Sequence, residues 1–267
     1  MSEQTGKSKL TIKNGFASLE IPEKKHNPRA INLVADCSFF GKKENEQWGV
    51  IVFRDAREKE NLWWQFINTE KIIYYQRGLD FLLKKSYKVL SVTVDGYRGL
   101  TNVFANYPVQ FCHFHQKQII RRYVTKNPRL EAGLDLKEIV EKLGEIGSYE
   151  FGCYLLTYIN HYKDFLDEIT IDPVTKRRYY THRRLRSAVK SLQTNLPYLF
   201  SYEDYPELKI PTTSNTLESH FSHIKDVVRI HRDLKRNIKE KLIESILLNS
   251  SIVKKLPYKN TVRDPKV

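Results

Sequence analysis

The sequence has no long apolar run and few cysteines, and each absence excludes a class of protein. No run approaches the roughly 18 to 20 apolar residues that a membrane-spanning helix needs, and residues 1–29 lack the apolar segment of a secretory signal. The three cysteines, at 37, 112 and 153, are odd in number and far apart, and no C-x-x-C pair indicates a zinc ribbon. We therefore expect a soluble cytoplasmic protein without a membrane partner.

Acidic residues are scarce relative to basic ones. The chain of 267 residues carries 45 Lys and Arg against 31 Asp and Glu, a formal net charge of +14. A surplus of this size creates a positive field over much of the surface and favours a polyanionic partner. The alternative is a protein that is merely soluble and basic, because net charge governs non-specific binding rather than fold.

Short runs of β-branched and aromatic residues alternate with helical spacing in the first half of the chain and predict an α/β core. The predicted elements are strands at 31–36, 48–53 and 62–67, a helix at 71–86, a strand at 89–94, a short helix at 100–105, a strand at 109–114 and a helix at 116–124. The first three strands should form an antiparallel meander. The fourth should lie beside the first, after a crossover helix.

The second half of the chain has helical spacing only, which predicts a helical insertion at 126–206. A long helix should open near Thr213 and end before Arg236, and a last helix should follow at about 239–253. The catalytic core would thus comprise 30–125 and 207–253. Residues 1–29 and 254–267 are expected to be a flexible basic leader and a loose basic tail.

Three carboxylates stand where predicted elements begin or end. Asp36 ends the first strand, Asp95 ends the neighbouring fourth strand, and Glu218 lies near the start of the long helix. Together they could hold two divalent cations, and oxygen ligands select Mg²⁺ or Mn²⁺. Each also has an ordinary interpretation: a strand-end cap for Asp36, a turn at Asp95-Gly96, and a capping box from Asn215 to Glu218.

Two basic concentrations predict contacts with a nucleic-acid backbone. At about 100° per residue, a series of basic side chains returns to the helix face of Glu218. A second concentration, at 176–186, mixes arginines with tyrosines, as surfaces that bind single-stranded nucleic acid do. A solvated helix face is the alternative in both cases. The residues expected to contact DNA are Arg183, Arg184, Arg186, Lys225, Arg229 and Arg232.

Cys112, His113 and His115 cluster at the end of the fifth predicted strand, near the expected place of Asp95. A zinc site would be incomplete, because no second Cys/His pair lies nearby at ligand spacing. A cysteine nucleophile with His115 as its base is disfavoured, because positions i and i+3 across a strand end point apart. We expect a buried cysteine and hydrogen-bonded histidines beside the site.

Four motifs occur in an order that resembles a known family. They are Val34-Ala-Asp36, Val94-Asp-Gly96-x-x-Gly99-Leu, Gln110-Phe-Cys112-His-Phe-His115-Gln and Asn215-Thr-Leu-Glu218-Ser-His-Phe-Ser-His-Ile-Lys225. From about Ile31 to about Leu248 the chain resembles the catalytic domain of bacterial insertion-sequence transposases of the Mutator-related DDE group. Each motif is weak alone, and the specificity lies in their order, with a helical insertion before the glutamate.

The resemblance implies an RNase H-like fold: a mixed sheet of five strands with flanking helices and an all-helical insertion before the last catalytic helix. Asp36, Asp95 and Glu218 match the catalytic and metal-binding triad, which implies two Mg²⁺ or Mn²⁺ ions. Cys112 and His115 match the C/D-x-x-H signature, and Asn215 matches the residue three before the glutamate. Such transposases also carry an N-terminal DNA-binding region, which we expect to be missing here.

The expected function is that of a Mg²⁺-dependent transposase, which cuts and joins DNA strands by in-line displacement at phosphorus. Its partners would be the element ends and the target DNA, and we expect a homo-oligomer when it is assembled on them. The place would be the bacterial cytoplasm, at the nucleoid. Two alternatives remain open: an RNase H-fold endonuclease that cuts without joining, and a non-catalytic DNA-binding remnant of a transposase.

Overall fold

A five-stranded mixed sheet organises the chain, whose computed structural model describes residues 15, 18, 20–42, 45–231 and 233–249. The strand order is β3-β2-β1-β4-β5, with β1–β3 antiparallel and β4 and β5 parallel to β1. The strands are β1 (Ala30–Lys42), β2 (Asn45–Asp55), β3 (Glu60–Ile67), β4 (Lys88–Val94) and β5 (Val109–Phe111). The predicted α/β fold is confirmed, and the sheet with its flanking helices is consistent with an RNase H-like arrangement.

Helices connect and cover these strands. They are α1 (Ile72–Lys84), α2 (Leu100–Val103), α3 (His113–Val124), α4 (Glu131–Glu141), α5 (Ser148–His161), α6 (Lys163–Asp167), α7 (Arg183–Leu199), α8 (Ser201–Asp204), α9 (Asn215–Ile230) and α10 (Arg236–Asn249). A 3-10 turn at Pro206–Leu208 precedes α9. Within the described part of the chain, no helix combines the length and the apolarity that crossing a membrane requires.

Side chains alternate between the two faces of the sheet along each strand, and both faces are buried. On one face Leu33 and Phe53 join the core formed with α1, α3 and the helices of the insertion. On the other face Val34 and Val52 pack with Phe221 and the rest of α9 and α10. Burial on both sides explains why β1 and β4 are nearly continuous apolar runs in the sequence.

The insertion is not a separate hydrophobic unit. Leu136, Phe151 and Leu192 belong to the same buried cluster as Leu33 of the sheet. The expectation that the insertion is entirely helical is wrong at one place, where β6 (Ile169–Ile171) and β7 (Arg178–Tyr180) form an antiparallel hairpin. The cause is local turn chemistry at Asp172, whose carboxylate accepts two backbone N–H bonds of 2.9 and 2.7 Å, before a proline that disfavours helix.

The end of the insertion closes the free edge of β5. The hydroxyl of Ser201 donates to the carbonyl of Val109 (2.7 Å), and the amide of Gln110 donates to the carbonyl of Leu199 (2.7 Å). The N–H of Tyr202 completes the set by donating to the side-chain oxygen of Gln110 (3.2 Å). The bond from Ser201 satisfies a backbone carbonyl of this edge strand, and the two bonds of the Gln110 side chain hold the end of the insertion against it.

The segment predicted as a leader contacts the sheet over the part that the structure describes. Arg29 forms ion pairs with Asp55 (2.8 Å) and Glu60 (2.7 Å), and Lys24 pairs with Glu60 (2.6 Å). Residues 20–29, although without regular structure, are therefore attached to the β2–β3 turn. The predicted tail at 254–267 lies outside the described residues.

Gly78 in α1 permits a close approach between this helix and the sheet. A Cβ at this position would lie 2.8 Å from ring atoms of both Phe53 and Trp63. Gly78→Ala should lower the free energy of unfolding by about 1–3 kcal/mol, because the overlap outweighs the better helix propensity of alanine. Urea denaturation measures this change.

Gly152 in α5 supplies the matched control, because a Cβ there would have nothing within 4 Å. Gly152→Ala should raise the free energy of unfolding by about 0.5–1 kcal/mol, the ordinary gain for glycine to alanine in a helix. If both substitutions stabilised the protein equally, the close packing of α1 on the sheet would be disproved.

Candidate functional site

The strand register brings Asp36 and Asp95 side by side. Val34 pairs with Thr93 in the parallel β1–β4 ladder, so two residues further Asp36 stands next to Asp95, just after β4 ends. Asp36 does not end β1 as predicted, because the strand continues to Lys42 by pairing with β2. Asp36 is 5% exposed, so its carboxylate lies under the helices on the α9 face.

Asp95 combines two roles that the sequence left as alternatives. Its carboxylate accepts a hydrogen bond from the N–H of Tyr97 (2.9 Å), and Gly96 has a φ of 80°, so the pair does form a turn. The negative charge of Asp95 nevertheless acts on Asp36 and raises its pKa. The turn therefore fixes a carboxylate beside the site.

Glu218 reaches the same place from α9 and meets a histidine there. Nε2 of His115 lies 2.8 Å from Oε1 of Glu218. Asp36, His115 and Glu218 each offer a ligand atom, and these atoms lie within 4.8 Å of one another. The structure thus brings together two of the three predicted carboxylates with His115, and places Asp95 beside them rather than among them.

The capping-box interpretation of Glu218 is wrong. Helix α9 begins at Asn215 with Ser214 at the N-cap position, and no side chain caps it. Glu218 is therefore the fourth helical residue, one position beyond the place that a capping box requires. Asn215, expected near the site, is exposed on the first turn of the helix.

Buried polar side chains of the sheet position the loop that precedes α9. Asn32 of β1 donates to the carbonyl of Leu208 (2.7 Å), and the hydroxyl of Thr93 donates to the carbonyl of Pro211 (2.7 Å). Both side chains lie on the face of Asp36, because residues i and i+2 of a strand share a face. The loop is therefore bonded to the same strands that carry the two aspartates.

A second set of bonds joins the starts of α3 and α9. The N–H of Ser214 donates to Sγ of Cys112 (3.3 Å), and the N–H of His113 donates to the carbonyl of Thr212 (2.9 Å). The first turns of the two helices consequently lie side by side at the cluster. Helix N-termini favour negative charge, so this end of the molecule suits carboxylates and phosphates.

The expectation that Cys112 and His115 point apart is wrong. The fifth strand ends at Phe111 rather than at residue 114, and α3 begins at His113, so Cys112 is its N-cap residue. Positions i and i+3 of a helix face each other, which places the thiol beside the imidazole. Cys112 is 1% exposed, so it is positioned to support His115 rather than to attack a substrate.

The charges of the cluster shift the pKa values of its members. Burial raises the pKa of Asp36 to about 7, and the neighbouring carboxylates Asp95 and Glu218 add to this while His115 opposes it. Burial acts to lower the pKa of His115, but Cys112, Glu218 and Asp36 outweigh it and raise the pKa to about 11. The imidazole of His115 is thus held protonated, and its positive charge offsets the negative charges of the acids, as a bound metal cation would.

Glu70 is a fourth carboxylate near the site, which sequence reasoning missed. It is partly buried just before α1 and accepts a hydrogen bond from the hydroxyl of Tyr75 (2.5 Å). Burial raises its pKa, and the charge of Asp95 raises it further. The sequence offered only an acid before a helix, which is ordinary at a helix N-terminus.

The donor set and its surroundings fit a divalent cation. Among the described residues, Ser38 Oγ and His115 Nδ1 are buried without a hydrogen-bond partner, and both residues line a cavity of about 400 Å³ with Asp36 and Glu218. Unpartnered buried polar atoms are rare and indicate an additional ligand or water. The carboxylates of Asp36 and Glu218 favour Mg²⁺ or Mn²⁺, and His115 would join them as a ligand only after losing its proton.

The predicted DNA-contacting residues on α9 have different surroundings. Lys225 is exposed and lines the cavity of the cluster. Arg229 forms an exposed ion pair with Asp226 (3.2 Å). Arg232 lies outside the described residues. Of Lys225 and Arg229, the two that the structure describes, Lys225 alone lines the cavity of the cluster.

The predicted DNA-contacting residues of the insertion lie on α7. The guanidinium of Arg183 lies 4.9 Å from the ring centre of Tyr179, and Arg184 donates to the backbone carbonyl of Arg122. Arg186 forms an ion pair with Asp167, so its charge is already compensated within the insertion. Arg183 and Arg184 keep charge available for an anion.

Comparisons with known proteins leave the interpretation to this geometry. No protein-family model matches the chain, and no curated protein matches it. What supports a function is therefore the convergence of four side chains at the carboxyl end of β4, beside the middle of β1. They are Asp36, Asp95, Glu218 and His115.

Proposed function

We propose that the chain is the catalytic domain of a metal-dependent DNA transposase of the DDE type. The observation that carries the proposal is the meeting of Asp36 and Glu218 around one cavity, with Asp95 beside Asp36 in the sheet, although the three residues are 59 and 123 residues apart in sequence. The net charge of the chain, +14, suits a polyanionic substrate.

The residues have distinct roles in the proposed reaction. Asp95 and Glu218 both act on the carboxylate of Asp36, so Asp36 would contribute to binding two divalent cations, and Asp95 and Glu218 would each help to hold one. When bound, such ions activate the attacking oxygen and stabilise the leaving oxygen of an in-line displacement. His115 orients Glu218 through their 2.8 Å contact, and Lys225 is placed to hold a phosphate.

The proposal includes the setting in which the reaction would occur. The substrates would be the ends of a mobile element and a target duplex, bound by a homo-oligomer at the nucleoid in the bacterial cytoplasm. Contacts to phosphates would give affinity without reading sequence. The chemistry of cleavage is shared with RNase H-fold endonucleases, so the joining of strands is what distinguishes a transposase.

Removing one carboxylate should abolish the chemistry but not the binding of DNA. Asp95→Asn and Glu218→Gln should each lower the rate of strand cleavage at least about 100-fold. Mutating a residue that only hydrogen-bonds to a metal ligand already lowers activity by up to about 100-fold. Affinity for DNA should stay equal or rise, because a negative charge is lost. Labelled duplex DNA with Mg²⁺, Mn²⁺ or EDTA, resolved on denaturing gels, gives both cleaved and joined products.

Asp226→Asn is the matched control for this assay, since Asp226 is an exposed acid on the same helix as Glu218. Its cleavage rate should equal that of the wild type. Cleavage without joining would identify an endonuclease instead. DNA that is bound but never cut by the wild type would support the non-catalytic remnant and overturn the proposal.

The buried carboxylates of the cluster should lower the free energy of unfolding, and a bound divalent cation should raise it again. Asp36→Asn removes a buried negative charge, so it should raise the melting temperature in EDTA by about 2–6 °C. A change of 1 kcal/mol in the free energy of unfolding shifts the melting temperature by about 2–4 °C in a domain of this size. The variant should lose the rise in melting temperature that Mn²⁺ gives the wild type. Differential scanning calorimetry with and without Mn²⁺ measures both, and Asp226→Asn should behave as the wild type does.

A further inference from the structure

Helix α3 connects the acidic cluster to a basic recess. Gln118 lines the cavity of the cluster, and it also lines a second recess of about 450 Å³. The other residues of that recess are Arg121, Arg122, Lys126 and Lys137. The two depressions therefore share a residue and form one continuous surface along the helix.

The surface continues from the end of α3 to the start of α7. A third recess of about 510 Å³ lies there, and Arg129, Arg183 and Arg184 contribute its cationic side chains. Arg184 donates to the backbone carbonyl of Arg122, so the second and third recesses are in contact. We call the whole surface, from Gln118 over Arg122 and Lys126 to Arg183 and Arg184, the α3 track.

Most cations of the α3 track have no acidic partner. Arg121 is compensated by Glu141 (2.7 Å). In the part of the chain that the structure describes, no ion pair involves Arg122, Lys126, Arg129, Arg183 or Arg184. Cationic side chains that lie close together without acidic partners repel one another and raise the local positive potential. A bound polyanion relieves this repulsion. The predicted face on α9 differs, because Arg229 is already paired with Asp226.

The dimensions suit one strand of a nucleic acid. Helix α3 has 12 residues, so at 1.5 Å per residue it is about 18 Å long, and its first turn lies at the cluster. One strand of duplex DNA carries a phosphate per about 3.4 Å of helix axis, so the helix spans about five phosphates. His115, Gln118 and Arg122 lie within about 60° of one another around the helix, on one face.

We propose that the backbone of the DNA strand engaged at the cluster follows the α3 track, away from Asp36 and toward the start of α7. This inference rests on the proposed function, because it takes the cluster as the place where the strand is cut. The contacts are to phosphates, so they position the strand without selecting its sequence.

The test compares two double variants that remove the same charges. Arg122→Ala/Lys126→Ala removes an arginine and a lysine from the α3 track. Arg77→Ala/Lys84→Ala removes an arginine and a lysine from exposed positions of α1, which packs on β2 and β3. Both variants should unfold at the temperature of the wild type, which thermal unfolding checks.

Binding of a fluorescent 30-base-pair duplex of mixed sequence is measured in EDTA across a range of salt concentrations. Each phosphate contact contributes about 0.9 to the slope of log K against log salt. The α3 variant should therefore lose about 1.8 from this slope, equally for two unrelated sequences, while the α1 variant keeps the slope of the wild type.

The outcomes separate the track from the proposed function. An unchanged slope in the α3 variant would overturn the track, even if the wild type cuts DNA. Equal losses in both variants would also overturn it, since they would reflect net charge alone. A loss confined to the α3 variant, in a protein that never cuts DNA, would keep the track and reject the function. Tighter binding of duplex RNA than of DNA would overturn DNA as the partner.

Discussion

The contact between His115 and Glu218 is the interaction on which the site depends. It joins the first turns of α3 and α9, and it places a positive charge beside the buried carboxylate of Asp36. Without a cation the acids Asp36, Asp95 and Glu218 would repel one another in a medium that screens poorly. The arrangement is therefore costly for folding and useful for binding metal, a conflict common at functional sites.

The insertion serves this contact although it lies far from it in sequence. Its helices share the core of the sheet, its end closes the edge of β5, and the loop after it is bonded to Asn32 and Thr93. Cys112 and Ser214, which are 102 residues apart, meet as a result. The insertion thus acts as a spacer that returns the chain to the sheet at the position where Glu218 is needed.

Opposite charges are separated over a short distance in this protein. The carboxylates gather at the end of β4, and the uncompensated arginines and lysines begin one turn further along α3, after Gln118. A divalent cation is attracted to the first region and a phosphate backbone to the second. This division supports the proposed function without requiring a deep substrate cavity, because a strand lies along a surface.

The sequence by itself predicted the five strands of the main sheet, the meander of the first three and the proximity of Asp36 and Asp95, but not the hairpin of the insertion, since apolar periodicity reports how each segment is buried. The four ordered motifs also pointed to Glu218. Only the tertiary structure decided that His115 joins the cluster, that Glu70 lies beside it, and that α3 leads into a basic recess. These features depend on which helix ends meet across about a hundred residues, and local periodicity carries no information about such long-range contacts.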